Sequence, residues 1–501
     1  MAEDTTPDVF SFIDQINRPQ DTVITSSEIT VSGINTAAGI SITGGEYSIN
    51  NLVSFTSLPG TVNNGDTVTV RQTSSADEFT TTDATLTIGG VSDTFSVRTD
   101  GTDTDPPSVS IAFPTAVALT DADTITVRGT ADDNDKSGVA YVSINGVDAD
   151  TTDDFATWSV TVPLSLGTNT LTVEAGDNAF REDAHAAEIV VERNNDVTST
   201  GVGTGDSFDE PADMVFADTA GHIYVVDGGA ALEALIDIDL SNGNRDVVSS
   251  APMTIGTGAD MQDPKGVVLD TANNRALVTD DAGDAIIGID LNAGATFGDR
   301  AELADAGTAG YANLRDLVLN GSAVLVVNES TPAGIVSVDP GTPAFTPVSD
   351  GSNGSGSSFT GPVSIELDAD NNRALVGDSV NNALFSVDLT AGTTYGDRTI
   401  IADGTTGTGA SLATIGPIAL RNSSHVLAAT NAATPALLEI DLSTGNRTVV
   451  SDSTTGSGPA ISDVSGILVD GDNNRAYLLD NSNNSLMTVD LVTGERVISS
   501  R

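Results

Sequence analysis

Apolar and polar residues alternate with a period of two along most of this chain. Clear examples are Thr67–Val70, Thr124–Val127 and Thr170–Val173. Such alternation turns one face of a strand towards a core and the other towards water. Clusters of Asn, Gly and Asp, which favour tight turns, separate these runs, and helical periodicity is nearly absent. The pattern predicts an all-β protein.

Two changes in the pattern divide the chain. Residues 99–107 read Thr-Asp-Gly-Thr-Asp-Thr-Asp-Pro-Pro, a polar, charged stretch that ends in two prolines, which cannot donate to a strand ladder. Near residues 193–196, a predicted strand at 188–191 gives way to a repeating pattern. We therefore predict three domains, at residues 1–100, 106–193 and 195–501.

The third segment is an internal repeat of about 50 residues. Its marker is an aspartate that ends a Val/Ile-Asp strand in every repeat: Asp239, Asp290, Asp339, Asp388, Asp441 and Asp490. Each repeat has room for four short strands, and six such repeats predict a six-bladed β-propeller. Residues 196–199 are a candidate extra outer strand that would close the ring. The Leu-x-x-Gly-x-Arg phrase that follows the marker in several repeats is interpreted as turn chemistry.

The repeat resembles the six-bladed propellers of the NHL and gluconolactonase superfamily. The resemblance rests on Gly256–Gly258, Asp263–Val267, Asp270 and Thr279-Asp280, and it extends over 203–501. It implies the propeller fold, but such repeats occur in proteins of very different activity. The gluconolactonase-like relatives hold a divalent ion in the channel and use it in lactone hydrolysis.

The two N-terminal segments resemble bacterial immunoglobulin-like domains, which implies two β-sandwiches. For the first, the resemblance is to tandem repeats of large surface proteins and includes Pro7–Phe12, Gly44–Asn50 and Val62–Val68. For the second, it is to a class appended to secreted carbohydrate-active enzymes and surface proteins, through Asp105–Val109 and Gly167–Leu171. Trp158, the single tryptophan, is predicted to fill the second core; an exposed sugar-stacking platform is the alternative.

Charge narrows the range of partners. The chain has 71 acidic and 19 basic residues, a formal net charge of −52, so it would repel nucleic acid and anionic membranes. It lacks cysteine, which excludes disulfides and thiol chemistry, and no apolar stretch is long enough for membrane insertion. No signal peptide is visible, which fits either a cytoplasmic protein or a mature secreted one. Acidic, salt-adapted composition favours a secreted or cell-surface location.

The candidate ligand site lies where the inner strands of the propeller begin, around the central channel. Aligned repeats place Asp213, Asp316 and Ser364 at one position, with Lys265 and Arg315 at the position before it. These five residues are the predicted ligand-binding residues.

Oxygen ligands without histidine or cysteine favour Ca²⁺ over zinc or copper. The predicted channel ligands are Asp213 and Asp316, assisted by the second-strand residues Asp227 and Asn328. Alternatively, Lys265 neutralises the two aspartates without a metal. An aspartate at the end of a strand also commonly accepts hydrogen bonds from the next turn, so residues that break the sixfold pattern are the better functional candidates.

A second candidate Ca²⁺ site lies in the second domain. Asp132, Asp133 and Asp135 share one loop, and Asp177 belongs to another. If the two loops meet at one end of the sandwich, these residues would bind an ion that stiffens the domain junction. A solvated acidic loop is the alternative.

Two functions remain open. The first is a secreted or cell-surface binding or adhesion protein whose propeller face takes a glycan or protein ligand. The second is a Ca²⁺-dependent lactonase-like or other hydrolytic enzyme acting at the channel. No catalytic residue is assigned, since nucleophile elbows, phosphate-binding loops and zinc-protease motifs are absent from the sequence.

Overall fold

The computed structural model describes residues 3–50, 53–101, 103–134 and 137–501. Nearly all regular structure in these ranges is β-strand; one short α-helix, Ala306–Ala309, and one 3₁₀ turn, Ala369–Asn371, interrupt it. The prediction of an all-β protein is confirmed.

Nine strands form the first module, a pair of sheets that enclose an apolar core. Their bounds are Gln15–Arg18, Val23–Thr25, Ile29–Thr30, Ala38–Thr43, Glu46–Ile49, Gly60–Val62, Thr67–Thr73, Thr81–Ile88 and Val91–Thr99 (β1–β9). One sheet has the order β1-β9-β8-β4-β6, and in the other β7 pairs with β2, β3 and β5. Buried residues of both sheets, including Val68, Leu86 and Phe95, meet between them because alternate side chains point inward.

Eight strands form the second module, which also has two sheets. Their bounds are Ser108–Phe113, Val117–Thr120, Thr124–Asp132, Val139–Ile144, Val147–Asp148, Trp158–Pro163, Gly167–Asp177 and Glu182–Arg193 (β10–β17). One sheet is β10-β12-β15, and the other contains β14-β13-β16-β17-β11. Trp158 is buried among Val127, Val142 and Leu171, so its interpretation as a core residue is confirmed.

The remaining strands form six antiparallel four-stranded units, each a simple up-and-down meander. Inner strands of successive units touch one another, and the first inner strand touches the last, so the units close into a ring. This arrangement belongs to the β-propeller class. The bounds are Pro211–Phe216, His222–Asp227, Ala234–Asp239 and Asn244–Ser250 in unit 1 (β18–β21); Pro264–Asp270, Arg275–Asp280, Ala285–Asp290 and Arg300–Asp305 in unit 2 (β22–β25); Leu314–Asn320, Ala323–Asn328, Gly334–Asp339 and Ala344–Ser349 in unit 3 (β26–β29); Pro362–Asp368, Arg373–Asp378, Ala383–Asp388 and Arg398–Ala402 in unit 4 (β30–β33); Ile415–Asn422, His425–Thr430, Ala436–Asp441 and Arg447–Ser451 in unit 5 (β34–β37); and Val464–Asp470, Arg475–Asp480, Ser485–Asp490 and Arg496–Ser500 in unit 6 (β38–β41).

The ring closes without an exchanged strand. The expectation that residues 196–199 add an outer strand is wrong, because Asp196 there accepts hydrogen bonds from Thr198 and Ser199 and forms a turn. Instead β11 of the second module pairs with β41, with Leu119 opposite Ile498. One continuous nine-stranded sheet therefore joins the second module to unit 6.

An ion pair and several hydrogen bonds reinforce this junction. Arg128 Nε lies 2.9 and 3.0 Å from the two carboxylate oxygens of Asp490, whose side chain is fully buried. The backbone N–H of Thr126 donates to Glu495, and Arg475 Nη1 donates to the carbonyl of Ala112. The last of the six marker aspartates therefore serves the junction as well as its own turn.

Arginines near the first residue of the outer strands bind the loop that precedes their own unit: Arg245, Arg300, Arg398, Arg447 and Arg496. All of them except Arg447 also donate to a serine hydroxyl on the outer strand of the preceding unit in the ring. In unit 4, Arg398 Nη1 donates to Ser349 Oγ at 2.7 Å and to the carbonyl of Asn353 at 3.0 Å, while Nε donates to the carbonyl of Ser357 at 2.7 Å. Interpreting the repeated arginine as turn chemistry alone was wrong, because its guanidinium reaches the neighbouring unit. The planar fork of an arginine suits several diverging carbonyl and hydroxyl acceptors at once.

Replacing Arg398 with methionine should lower the free energy of unfolding of the ring by about 2–4 kcal/mol. Arg398 is 7% exposed, and its loss leaves the buried Ser349 hydroxyl and the carbonyl of Ser357 without their donor. Urea denaturation measures the change. Arg421→Met is the matched control, because Arg421 makes one ion pair with Glu439 near the surface. Equal effects of the two substitutions would contradict the bracing role.

Candidate functional site

A cavity of about 320 Å³ opens at the mouth of the central channel, where the inner strands begin. All five predicted ligand-binding residues lie in its wall: Asp213, Lys265, Arg315, Asp316 and Ser364. They reach it from units 1 to 4, and further polar side chains come from Asn431 and Asn481. The structure therefore brings these residues together; ligand binding by them stays a prediction.

Three of these side chains also brace neighbouring units. Asp213 accepts a hydrogen bond from the backbone N–H of Val267 at 2.9 Å, and Asp316 accepts one from Ile365 at 2.8 Å. Ser364 donates to the carbonyl of Gly416 at 2.9 Å. Each bond crosses from one inner strand to the next, so these side chains have a structural role as well as a place in the cavity wall.

The two aspartates hold their protons more tightly than ordinary carboxyls. Burial, and then the nearby carboxyl of Asp316, raise the pKa of Asp213 well above its usual range. Burial raises the pKa of Asp316 to about 7, although backbone N–H groups of Ile365 and Leu317 partly oppose the shift. At pH 7 about half of the Asp316 side chains therefore carry a proton, and the protonated form can donate a hydrogen bond to a ligand.

A third carboxyl, Glu366, lies two residues along the inner strand from Ser364 and was missed by the sequence analysis. Burial and the carboxyl of Asp316 raise the pKa of Glu366 to about 8. At the same position the other five units carry Val215, Val268, Val318, Ala419 and Leu468. Glu366 thus departs from the sixfold pattern in the sequence, as Asp213 and Asp316 do nearer the mouth.

The two cations of the cavity wall are paired with other carboxylates. Lys265 Nζ lies 2.6 Å from Asp263, and Arg315 Nη2 lies 2.6 Å from Glu329. The alternative in which Lys265 neutralises Asp213 and Asp316 is therefore wrong, because its ammonium group pairs with the loop just before its own strand.

Asp227 and Asn328 lie at the ends of second strands and are fully buried. Asp227 accepts hydrogen bonds from the backbone N–H groups of Asp209, Glu210 and Gly229. The amide of Asn328 donates to the carbonyls of Ser330 and Pro332. Both side chains thus organise the loops around the channel mouth, and coordination of a metal by them stays a prediction.

The acidic loops of the second module are only partly brought together. Asp133 and Asp177 are buried near each other, whereas Asp132 is exposed at the end of β12 and Asp135 lies outside the described residues. The third member of this buried group is Asp103, which belongs to the segment between the modules. From the sequence, the acidic, proline-terminated segment 99–107 around Asp103 is predicted only as a domain boundary.

Comparisons with known proteins find partial similarities. Residues 107–193 match the family described as glucodextranase, domain B. An auxiliary nutrient binding protein from Bacteroides ovatus is 16% identical over 78% of this chain and 97% of its own, with a TM-score of 0.45. A streptogramin B lyase structure is 12% identical over 59% and 84% of the two chains, with a TM-score of 0.40. Hydrazine synthase from Kuenenia stuttgartiensis is 11% identical over 59% and 80%, with a TM-score of 0.39. No curated protein sequence matches the chain.

Among the described residues, no helix has the length and apolar character needed to cross a membrane.

Proposed function

We propose that this chain is a secreted or cell-surface binding protein with two immunoglobulin-like sandwiches and a six-bladed propeller of the NHL and gluconolactonase kind. The proposed domains are residues 1–100, 106–193 and 195–501. Support comes from the two-sheet modules and the closed ring of six four-stranded units. A net charge of −52 suits a protein that works in salty surroundings outside the cell.

The proposed ligand is a glycan unit bound at the channel mouth, and the observation that carries this proposal is the cavity itself. Its volume of about 320 Å³ lies at the lower end of small-ligand pockets, which favours a small molecule over a protein partner. Protonated carboxyls, amides and a hydroxyl alternate along its wall with two cations. Groups that both donate and accept hydrogen bonds suit a ligand rich in hydroxyl groups. Lys265 and Arg315 each pair with a carboxylate, and their remaining N–H donors would favour a sugar acid.

A calorimetric screen of neutral and acidic mono- and oligosaccharides tests this proposal. The Arg315→Met variant should bind an acidic sugar at least about tenfold more weakly than the parent, as expected for the loss of one charged hydrogen bond. Arg421→Met removes an arginine that is also ion-paired but lies at the far end of an inner strand, outside the cavity, and it should leave binding unchanged. Absence of glycan binding in the parent, or equal weakening by both substitutions, would contradict the proposal.

The alternative is a Ca²⁺-dependent lactonase-like hydrolase, favoured by the gathering of Asp213, Asp316 and Glu366 in the channel. Within the described part of the chain, these three carboxyls do not form a group whose oxygens all lie within 4.8 Å of one another. In this arrangement they do not fit a common ion, so Ca²⁺ in the channel has weaker support than glycan binding. Lactone hydrolysis that requires Ca²⁺ and is abolished by Asp316→Asn would favour the enzyme.

A further inference from the structure

Three buried carboxylates converge where the segment between the modules meets the second module. Asp103, Asp133 and Asp177 are 3%, 5% and 4% exposed, and each offers an oxygen within 4.8 Å of the others. Asp103 precedes β10, Asp133 follows β12, and Asp177 ends β16. Three segments far apart in the sequence therefore supply one carboxylate each.

The hydrogen bonds of Asp177 leave one of its oxygens free. Oδ1 accepts the backbone N–H groups of Ala179 and Arg181, at 2.7 and 2.8 Å. Oδ2 is buried and has no hydrogen-bond partner. A buried carboxylate oxygen without a partner is costly, because burial removes its water and nothing replaces it.

Two arginines lie beside this cluster and bind its backbone. Arg181 Nε donates to the carbonyl oxygen of Asp103 at 3.0 Å, and Arg98 Nη1 donates to that of Ser137 at 2.9 Å. Burial, together with the neighbouring Asp103 and Asp177, raises the pKa of Asp133, although hydrogen bonds from Gly138 and Ser137 oppose the shift. Like charges held this close in a buried place repel one another.

We propose that Asp103, Asp133 and Asp177 bind a divalent cation, with Ca²⁺ the ion best suited to an all-oxygen site. A cation there supplies the missing partner of Asp177 Oδ2 and offsets the repulsion among the three carboxylates. It also ties the segment between the modules to two loops of the second module, so that the two modules are held in a defined orientation. The proposal is independent of glycan binding at the channel mouth.

Calorimetric titration of the full chain with CaCl₂ tests this site. The parent should bind Ca²⁺ with a Kd of about 0.1–1 mM, the range of extracellular calcium modules. Asp177→Asn should lose one bound ion per chain, and Asp133→Asn should lose the same ion. Asp132→Asn is the matched control, because Asp132 belongs to the same loop as Asp133 but is exposed and lies outside the cluster.

Protease cleavage within residues 99–107 provides a second readout that does not depend on binding heats. Ca²⁺ should slow this cleavage in the parent and in Asp132→Asn, and it should have no effect on Asp177→Asn. Circular dichroism establishes that each variant is folded. If the parent binds no Ca²⁺, or if Asp177→Asn and Asp133→Asn bind as many ions as the parent, the proposal is overturned. Glycan binding by the same variants should stay unchanged, so this outcome is distinguishable from a failure of the proposed function.

Discussion

Replacing Arg128 with alanine should lower the free energy of unfolding at the junction between the second module and the ring by about 3–5 kcal/mol. Asp490 is completely buried and receives hydrogen bonds from Nε and Nη2 of Arg128. Without the guanidinium, a buried carboxylate loses its counter-charge and keeps only uncharged donors, the N–H groups of Val492 and Thr493 and the hydroxyl of Thr493. Urea denaturation followed by the fluorescence of Trp158, which lies opposite Gly129 in the sheet, would measure the loss.

Arg421→Ala is the control for this experiment. Arg421 and Glu439 form a partly exposed pair, and breaking it should cost about 0–1 kcal/mol. The double variant Arg128→Ala, Asp490→Asn should be less destabilised than Arg128→Ala alone, because it removes the unpaired charge together with its partner. If Arg128→Ala costs no more than Arg421→Ala, the buried pair does not hold the junction.

Raising the pH from 5 to 9 should lower the free energy of unfolding by about 6–7 kcal/mol through Asp316 and Glu366. The folded protein holds the pKa of Asp316 at about 7 and that of Glu366 at about 8, whereas in the unfolded chain both groups ionise near pH 4. Between these values the unfolded state has released protons that the folded state retains. Stability therefore falls as the pH rises through this window and levels off above about pH 8.

Glu366→Gln should reduce this pH dependence and make the protein more stable than the parent at pH 9 by about 4–5 kcal/mol, because glutamine keeps the shape without a charge. Glu302→Gln, at an exposed position of β25, is the control and should leave the slope unchanged. Urea denaturation at several pH values measures the free energy of unfolding of the parent and both variants. A stability that is flat or rises between pH 5 and 8 would contradict the assigned environment of these carboxyls.

The candidate site was predictable where it follows the repeat. Aligned units indicated that Asp213, Asp316 and Lys265 begin inner strands and depart from the pattern, and the structure places all three in the cavity wall. The alignment does not predict the direction of the Lys265 side chain, because the loop geometry determines that it pairs with Asp263. Glu366 was missed because a single glutamate in an apolar strand does not by itself indicate a site. Its proximity to Asp316 follows only from the tertiary structure.

By itself, the sequence determined the all-β character and the sixfold repetition, because period-two alternation and a recurring strand-end aspartate are local patterns. Contacts between distant segments were decided by the tertiary structure alone. β11 meets β41 across several hundred residues, and Arg398 leaves its own turn for the preceding unit. Asp103 lies beside Asp133 and Asp177 only in the tertiary structure. Local patterns record which face of a strand is buried, whereas the partners of a buried charge depend on how whole sheets pack together.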